Sequence, residues 1–397
     1  MVVAVLEALF LVLSGLCAAW LLLTHMLTWV YFRWGSGCAA DGVAPPASVI
    51  RPVFEAGQSA RGGLRSFCAQ NYPGDYEVLF CAERSDTVSI PVVRSVIAEF
   101  PHRDAQLLLT DGEDSDTIGK LRNTIPGLAG ARHDIVVFAD DDVDGPPSYL
   151  RETLPCLMDR RVGLAFSAPA YQGCETWAAA LMSVFTNSLV LRVATGCALR
   201  IFDGAIGTTM ITRKSSIEAI GGLDQFRRQI VDDLPLGRAM ARHGYRIHLL
   251  KSPAPVVHRY DTFVGCWSHI HRWLVIIRHY YPVRARVMSV LDLGLWWGLL
   301  YWGLAWLAGD GPRLGAYLVG GLFLASVVSA AVVNVNFARD GNLWRFLWVT
   351  AVLEVLRLPL ILHSELTNNI LWRGRRFHIH RDGTATPIGD DGGIERA

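Results

Sequence analysis

The sequence has little charge of either sign. Only 18% of its 397 residues are Asp, Glu, Lys or Arg, and 37 basic residues against 36 acidic ones leave a formal net charge of +1. A balance this close to zero argues against a nucleic-acid partner. Hydrophobic residues make up 51% of the chain, including 13 tryptophans, which excludes a disordered protein. The composition indicates a membrane protein with a soluble part.

Paired cysteines are also lacking. The eight cysteines are scattered, no C-x-x-C pair occurs, and no histidine lies near them at the spacing of a zinc site. We therefore expect reduced, mostly packed thiols in a chain whose bulk faces the cytosol.

No basic segment precedes the first hydrophobic run, and no small-residue cleavage site follows it before Arg33. This run, Val2–Phe32, is long enough to cross the hydrocarbon core of a bilayer, which is about 30 Å thick. A retained anchor over residues 1–32 is therefore favoured over a cleaved signal peptide.

Three further hydrophobic runs lie near the C-terminus, in a predicted membrane region over residues 288–363. Ser289–Ala308 and Leu314–Phe337 are predicted to form a helical hairpin that turns at residues 309–312. The last run, Leu343–Leu362, contains acidic and basic residues, and a charge at the centre of a membrane helix costs about 2.5–3.5 kcal/mol. We expect that this last run does not cross.

A basic cluster at residues 373–381 follows the last hydrophobic run. Because positive flanks remain in the cytoplasm, the tail over residues 364–397 is predicted to be cytosolic. Residues 382–397 have the composition of a disordered end.

Residues 33–287 are long enough for one substantial core. Short apolar runs alternate there with helix-like stretches, which predicts an α/β fold with a mainly parallel sheet. The predicted strands are Ala47–Val53, Tyr76–Ala82, Ala105–Thr110, Asp134–Ala139 and Val162–Ser167.

Three aspartates, Asp140, Asp141 and Asp142, follow the fourth predicted strand directly. Ligands of α/β sheets bind beyond the carboxyl ends of the strands. Carboxylates at positions i and i+2 can face the same way, and their hard oxygen atoms suit Mg²⁺ or Mn²⁺ bound to a diphosphate. The alternative is a solvated turn, since Asp is favoured in turns.

Two further motifs carry polar chemistry. Asp232 and Asp233 open a helix-like stretch, where they either cap the helix or supply a general base. Arg272 and Trp273 lie just before the C-terminal hydrophobic runs, where Arg272 either neutralises a phosphate or forms an interfacial anchor with Trp273. Upstream, Ser188–Phe202 reads as an amphipathic helix at a lipid-binding entrance or as a buried core helix.

The order of these motifs is more specific than any one of them. The chain resembles the membrane-bound, inverting ceramide glucosyltransferase family, with bacterial hopanoid glycosyltransferases as close relatives. The resemblance covers nearly the whole chain. The matching stretches are SVIRPVFEAG, NYPGDYEVLFCAE, IGKLRN, VVFADDDVDGPPSYL, GTTMITRKSSIEAIGGL, VDDLPLGRAMARHGYRI and HIHRW.

The resemblance implies a role for each matched residue. Asp140 and Asp142 are the D-x-D carboxylates that hold the metal and the sugar nucleotide, with Asp141 between them in the substrate site. Asp233 is the general base, beside Asp232.

Arg272 and Trp273 match the R-W of a Q-x-x-R-W motif, and Lys120 is placed to meet the diphosphate. Two positions depart from the family pattern. His269 replaces the first residue of Q-x-x-R-W, and the early nucleotide-binding carboxylate is Asp86 or, as second choice, Glu83.

These matches imply a GT-A-type α/β domain with transmembrane helices, and single-displacement transfer from a UDP-sugar to a lipid hydroxyl. Ceramide with UDP-glucose is the first expectation, and a hopanoid polyol with UDP-N-acetylglucosamine is the second. The expected location is the bacterial inner membrane, with the catalytic domain in the cytosol. The alternative from another class is a non-catalytic membrane scaffold.

Overall fold

The computed structural model describes residues 2–35, 42–111, 117–257, 262–309, 313–372 and 374–388. The chain divides into two compact units. The sheet unit comprises Trp34–Gln172 and Val193–His258, and the helical unit comprises Met1–Arg33, Gly173–Arg192 and Arg259–Glu395.

The strands and helices of the described residues alternate along the first two thirds of the chain. The strands are β1 Ala47–Pro52, β2 Tyr76–Glu83, β3 Ala105–Thr110, β4 Ile135–Ala139, β5 Val162–Ser167, β6 Pro169–Gln172, β7 Thr209–Arg213, β8 Arg246–Leu249, β9 Ala254–Val257, β10 Asn369–Trp372, β11 Arg375–Ile379 and β12 Ala385–Pro387. The helices are α1 Val2–Trp34, α2 Arg61–Cys68, α3 Ser89–Glu99, α4 Leu121–Gly130, α5 Tyr149–Thr153, α6 Trp177–Phe185, α7 Leu191–Ala198, α8 Lys214–Ala219, α9 Asp233–Arg242, α10 Phe263–Tyr280, α11 Pro282–Leu291, α12 Gly294–Ala308, α13 Arg313–Val333 and α14 Val349–Leu366.

The main sheet of the sheet unit has the strand order β3-β2-β1-β4-β7-β5-β8. All its neighbours pair in parallel except β7, which is antiparallel to both β4 and β5. Strands β1, β4 and β5 are buried throughout, because their β-branched and aromatic side chains are covered on both faces. The predicted α/β fold and its mainly parallel sheet are confirmed.

The helical unit contains apolar helices of membrane-spanning length. Three segments are long and apolar enough to cross a membrane, judged by length and composition: Val2–Trp34, Trp177–Ala198 and Arg313–Ala338. The adjacent helices α11 and α12 meet these criteria when they are taken as one span, and their axes are bent by 50° at the break between them. Among the described residues, α14 does not meet the same criteria of length and composition, and whether it crosses the membrane stays a prediction.

One expectation about a helix needs correction, and the structure bears on one alternative that the sequence left open. The predicted helix Ser289–Ala308 is broken at Asp292, whose carboxylate accepts hydrogen bonds from Trp20 Nε1 and Arg192 Nη1, each at 3.1 Å. A carboxylate in an apolar run needs such hydrogen-bond partners. The helix is interrupted at Asp292, where Trp20 and Arg192 supply them. For Ser188–Phe202, residues 189–197 are buried and the helix ends at Ala198, which favours the buried alternative.

The C-terminal tail is more ordered than its composition predicts. Strands β10, β11 and β12 form an antiparallel sheet, so residues 385–387 are not disordered; residues 389–397 lie outside the described part.

Among the cysteines, Cys156 is disulfide-bonded, which contradicts the expectation of reduced thiols there, since sequence spacing does not report which thiols the fold brings together. Cys38 lies outside the described residues. The other six cysteines are free and buried.

Candidate active site

The D-x-D segment begins directly after β4, at the carboxyl end of the central parallel strands. The side chain of Asp140 is 34% exposed and Asp142 is half-buried, whereas Asp141 is only 4% exposed. Asp141 Oδ2 accepts a hydrogen bond from Phe54 N at 3.2 Å, which ties the segment to the loop after β1. The outer two carboxylates therefore lie nearer the surface than the middle one, whose role in substrate binding stays a prediction.

Backbone hydrogen bonds also hold the D-x-D segment to Thr208 and to strand β9. Asp140 N donates to Thr208 O at 3.1 Å, and Val257 N donates to Asp142 O at 3.0 Å. Asp144 N donates to Pro255 O at 2.9 Å. The carboxylates of the D-x-D segment are thus mounted on a fixed backbone.

Lys120 links the D-x-D segment to the second acidic motif. Its Nζ lies 2.9 Å from Asp140 Oδ1 and 2.9 Å from Asp232 Oδ2. Burial alone would lower the pKa of Lys120, but the two carboxylates raise it, so the ammonium stays charged. Three residues that the sequence analysis selected from distant stretches therefore form one cluster.

Asp233 is the first residue of α9. Its Oδ2 accepts a hydrogen bond from Gly207 N at 2.7 Å, and its Oδ1 accepts one from Leu234 N at 2.7 Å. Burial and the neighbouring Asp232 raise the pKa of Asp233 to about 7, against the lowering effect of Lys120 and the two N–H groups. A carboxyl group with this pKa can take up or release a proton near neutral pH.

The helix-capping alternative does not explain Asp232. It is the N-cap residue of α9, but its side chain makes no capping hydrogen bond. Its carboxylate lies against Lys120 instead. Removing Asp232 would therefore change the charge of the cluster rather than the end of the helix.

The residues present fit a divalent cation held jointly with a diphosphate. No group of three or more His, Cys, Asp or Glu side chains among the described residues could hold a metal alone. Mg²⁺ usually binds one or two carboxylates and takes its other ligands from substrate phosphates and water. The hard oxygen atoms of Asp140 and Asp142 match that requirement.

The two candidates for the early nucleotide-binding carboxylate differ in their surroundings. Asp86 accepts hydrogen bonds from the backbone N–H groups of Glu55, Val88 and Ser89 and from the Ser89 hydroxyl. It thereby ties the start of α3 to the loop after β1. The side chain of Glu83 is 16% exposed and lies 3.9 Å from an Arg122 nitrogen. Nucleotide binding by either residue stays a prediction.

The HIHRW motif lies on α10, in the helical unit. Arg272 Nη2 donates to His269 Nδ1 at 3.0 Å, and the ring of Trp273 packs 4.7 Å from that of His269. Burial and the charge of Arg272 hold the pKa of His269 well below its ordinary value, so the imidazole is neutral and accepts this bond. Histidine can therefore orient Arg272 in place of the glutamine of the family motif.

Sequence analysis missed two groups beside the D-x-D segment and Asp233. Gly207 supplies the N–H that orients Asp233, and Arg51, a fully buried side chain, donates to the backbone of Asp140. A backbone donor leaves no side-chain signal. Arg51 does leave one, because it is a charged residue in strand β1, which is buried throughout.

The sequence profile of glycosyl transferase family 21 matches residues 8–385. The chain belongs to this family. Ceramide glucosyltransferase 1 of Caenorhabditis elegans is 23% identical over 369 residues, which cover 91% of this chain and 78% of that protein. The beta-monoglucosyldiacylglycerol synthase of Synechocystis is 22% identical over 53% of this chain and 43% of that protein.

Among solved structures, a mannosyltransferase from Pyrobaculum calidifontis in complex with GDP-Man and Mn²⁺ superposes with a TM-score of 0.53. It is 16% identical and covers 90% of this chain and 99% of its own, so the likeness concerns the fold, which is of the GT-A type. This family 21 protein is a sugar-nucleotide-dependent glycosyltransferase. The resemblance stated from the sequence is confirmed.

Proposed function

We propose that this family 21 glycosyltransferase transfers glucose from UDP-glucose to a ceramide hydroxyl with inversion, yielding glucosylceramide and UDP. Two findings support a lipid acceptor. A relative aligned over 91% of the chain is named a ceramide glucosyltransferase, and the helical unit has helices long and apolar enough to span a membrane. An acceptor lipid would present its hydroxyl at the membrane interface.

The observation that carries the proposal is Asp233. Its pKa of about 7, its two backbone hydrogen bonds and its place beside the Lys120 cluster suit a positioned general base. In the proposed step its carboxylate takes the proton of the acceptor hydroxyl, whose oxygen forms a bond to the anomeric carbon. The bond from that carbon to the UDP oxygen breaks, and its electron pair leaves with UDP.

We further propose that Asp140 and Asp142 hold Mg²⁺ or Mn²⁺ together with the diphosphate. A bound divalent cation stabilises the negative charge that develops on the leaving group. Lys120 would retain its positive charge beside the diphosphate, since two carboxylates favour its protonated form. Arg272 is proposed to neutralise a phosphate group, and Trp273 packs beside the histidine that accepts a hydrogen bond from Arg272.

The proposed setting is an enzyme anchored by residues 1–32 and held by the C-terminal membrane region in the bacterial inner membrane. The catalytic domain, predicted over residues 33–287, would face the cytosol, where nucleotide sugars are made. The basic tail would lie on the same side by the positive-inside rule.

The test is a panel of donors and acceptors with the purified full-length protein in detergent. UDP-glucose or UDP-N-acetylglucosamine is offered with ceramide or a bacteriohopane polyol, and the products are identified by mass spectrometry. We expect a hexose on ceramide from UDP-glucose, formed about 10²- to 10⁴-fold more slowly with Asp233→Asn. A product on the hopanoid alone would replace the proposed substrates, and no product from any pair would contradict the proposed reaction.

A further inference from the structure

Arg51 is a fully buried charge at the end of β1, next to the D-x-D segment. Its guanidinium donates to three backbone carbonyls: Nη1 to Gly63 O at 3.1 Å, and Nη2 to Asp140 O at 2.7 Å and Val143 O at 3.3 Å. It lies 4.5 Å from the centre of the Phe67 ring. The side chain thus joins both ends of the D-x-D turn to helix α2.

The same turn approaches α2 at close range. A Cβ atom on Gly63 would lie 2.9 Å from Val143 O and 3.3 Å from Asp141 O. The neighbouring Gly62 has nothing within 4 Å of its Cβ position. A side chain at position 63 would push the turn away from the helix, whereas one at position 62 would not.

We propose that Arg51 and Gly63 are positioning residues, which fix the backbone of residues 140–143 so that the carboxylates of Asp140 and Asp142 can share one cation with the diphosphate of the donor. This inference rests on the proposed function. Arginine suits the task because its planar guanidinium carries several donors in fixed directions, whereas a lysine ammonium is a point charge that cannot span the same three carbonyls.

The first test compares two buried arginines of the sheet unit. Arg51→Met removes the contacts with the turn. Arg213→Met removes a similar contact, from Nη1 to Val162 O at 3.0 Å, at the opposite end of β4, where Arg213 pairs with Ile135. Binding of Mn²⁺ in the presence of UDP is measured by electron paramagnetic resonance of the free ion.

Loss of a group that orients metal ligands typically weakens metal affinity by about 10–100-fold. We expect a loss in that range for Arg51→Met and a change below about twofold for Arg213→Met. Arg51→Lys should recover little of the affinity, because it restores the charge without the fork.

The second test uses the two glycines and does not depend on a buried charge. We expect Gly63→Ala to weaken binding of Mn²⁺ with UDP about tenfold, and Gly62→Ala to leave it unchanged. This pair decides the question if Arg51→Met fails to fold.

The outcomes distinguish a failure of the positioning role from a failure of the proposed metal site. If the wild-type protein binds Mn²⁺ with UDP but Arg51→Met and Gly63→Ala bind it equally well, positioning is contradicted and the proposed function stands. An equal loss in Arg213→Met or Gly62→Ala would show a general effect of instability, which also contradicts it. If the wild-type protein binds no Mn²⁺ with UDP, the proposed metal site fails and this inference fails with it.

Discussion

Transfer by this enzyme should switch on as the pH rises through about 7, because the proposed base must be ionised to accept the proton of the acceptor. Asp233 has its pKa raised to about 7 by burial and by Asp232. Below that pH the carboxyl group is protonated and cannot act as a base. We therefore expect kcat/KM to rise with pH and to level off about one unit above the pKa.

The size of the effect follows from the titration. With a pKa of about 7, about one tenth of the enzyme is ionised one pH unit lower, so activity should fall about tenfold for each further unit. Asp233→Asn removes the base altogether, and loss of a general base costs about 10²–10⁴ in rate. The residual rate of this variant should no longer rise with pH through about 7, because residue 233 no longer ionises.

Thermal stability distinguishes loss of the general base from loss of the folded structure. The folded-state pKa of Asp233 is raised above its ordinary value, so ionisation of this group makes the folded state less stable as the pH rises from about 4 to about 7. Asp233→Asn removes that ionisation but also loses one of the two backbone hydrogen bonds to the side chain, and because these two effects oppose each other its melting temperature at about pH 8 should stay close to that of the wild type. A loss of activity with unchanged melting would then be a chemical effect.

The assay follows UDP release from about pH 5.5 to 9 for the wild type, Asp233→Asn and Asp232→Asn. Asp232→Asn should be milder, since this residue acts on Asp233 only through its charge, and it should shift the wild-type profile to lower pH. A flat wild-type profile, or a larger loss in Asp232→Asn than in Asp233→Asn, would refute the assignment of the base.

Three further outcomes are expected. Asp142→Asn should abolish transfer in a folded protein, and excess EDTA should abolish it in the wild type; full turnover in EDTA would exclude the metal. A cysteine at the exposed position Pro387 should resist an impermeant thiol reagent in intact cells and react after lysis, as a cytosolic basic cluster at residues 373–381 requires. Asp292→Asn should destabilise the helical unit by about 3–5 kcal/mol, because it leaves the buried charge of Arg192 without its partner; unchanged thermal unfolding in detergent would contradict this.

The central strands could be predicted because burial on both faces leaves an apolar run. The predicted runs beginning at Ala47, Tyr76, Ala105 and Val162 correspond to β1, β2, β3 and β5, with ends that agree within a residue. Strand β7, with the sequence TMITR, was missed because it is short and half polar. The tail strands were missed for a similar reason, since Arg375 and Arg376 are exposed and only alternate residues are buried.

At the site, the sequence could supply the residue types but not their partners. Asp140, Lys120 and Asp232 were chosen from separate motifs, and only the fold shows that one ammonium contacts both carboxylates. The break at Asp292 also depends on tertiary structure, because its partners Trp20 and Arg192 lie far away in sequence.

The configuration of the new glycosidic bond shows whether the sugar is transferred by a single displacement. The sugar of UDP-glucose is α-linked, and attack by the hydroxyl that Asp233 deprotonates displaces UDP from the opposite face. The purified enzyme is supplied with UDP-glucose and ceramide, and the anomeric coupling of the glycolipid is read by proton NMR. Single displacement yields a β-linked glucosylceramide, whereas an α-linked product would exclude single displacement with Asp233 as the base.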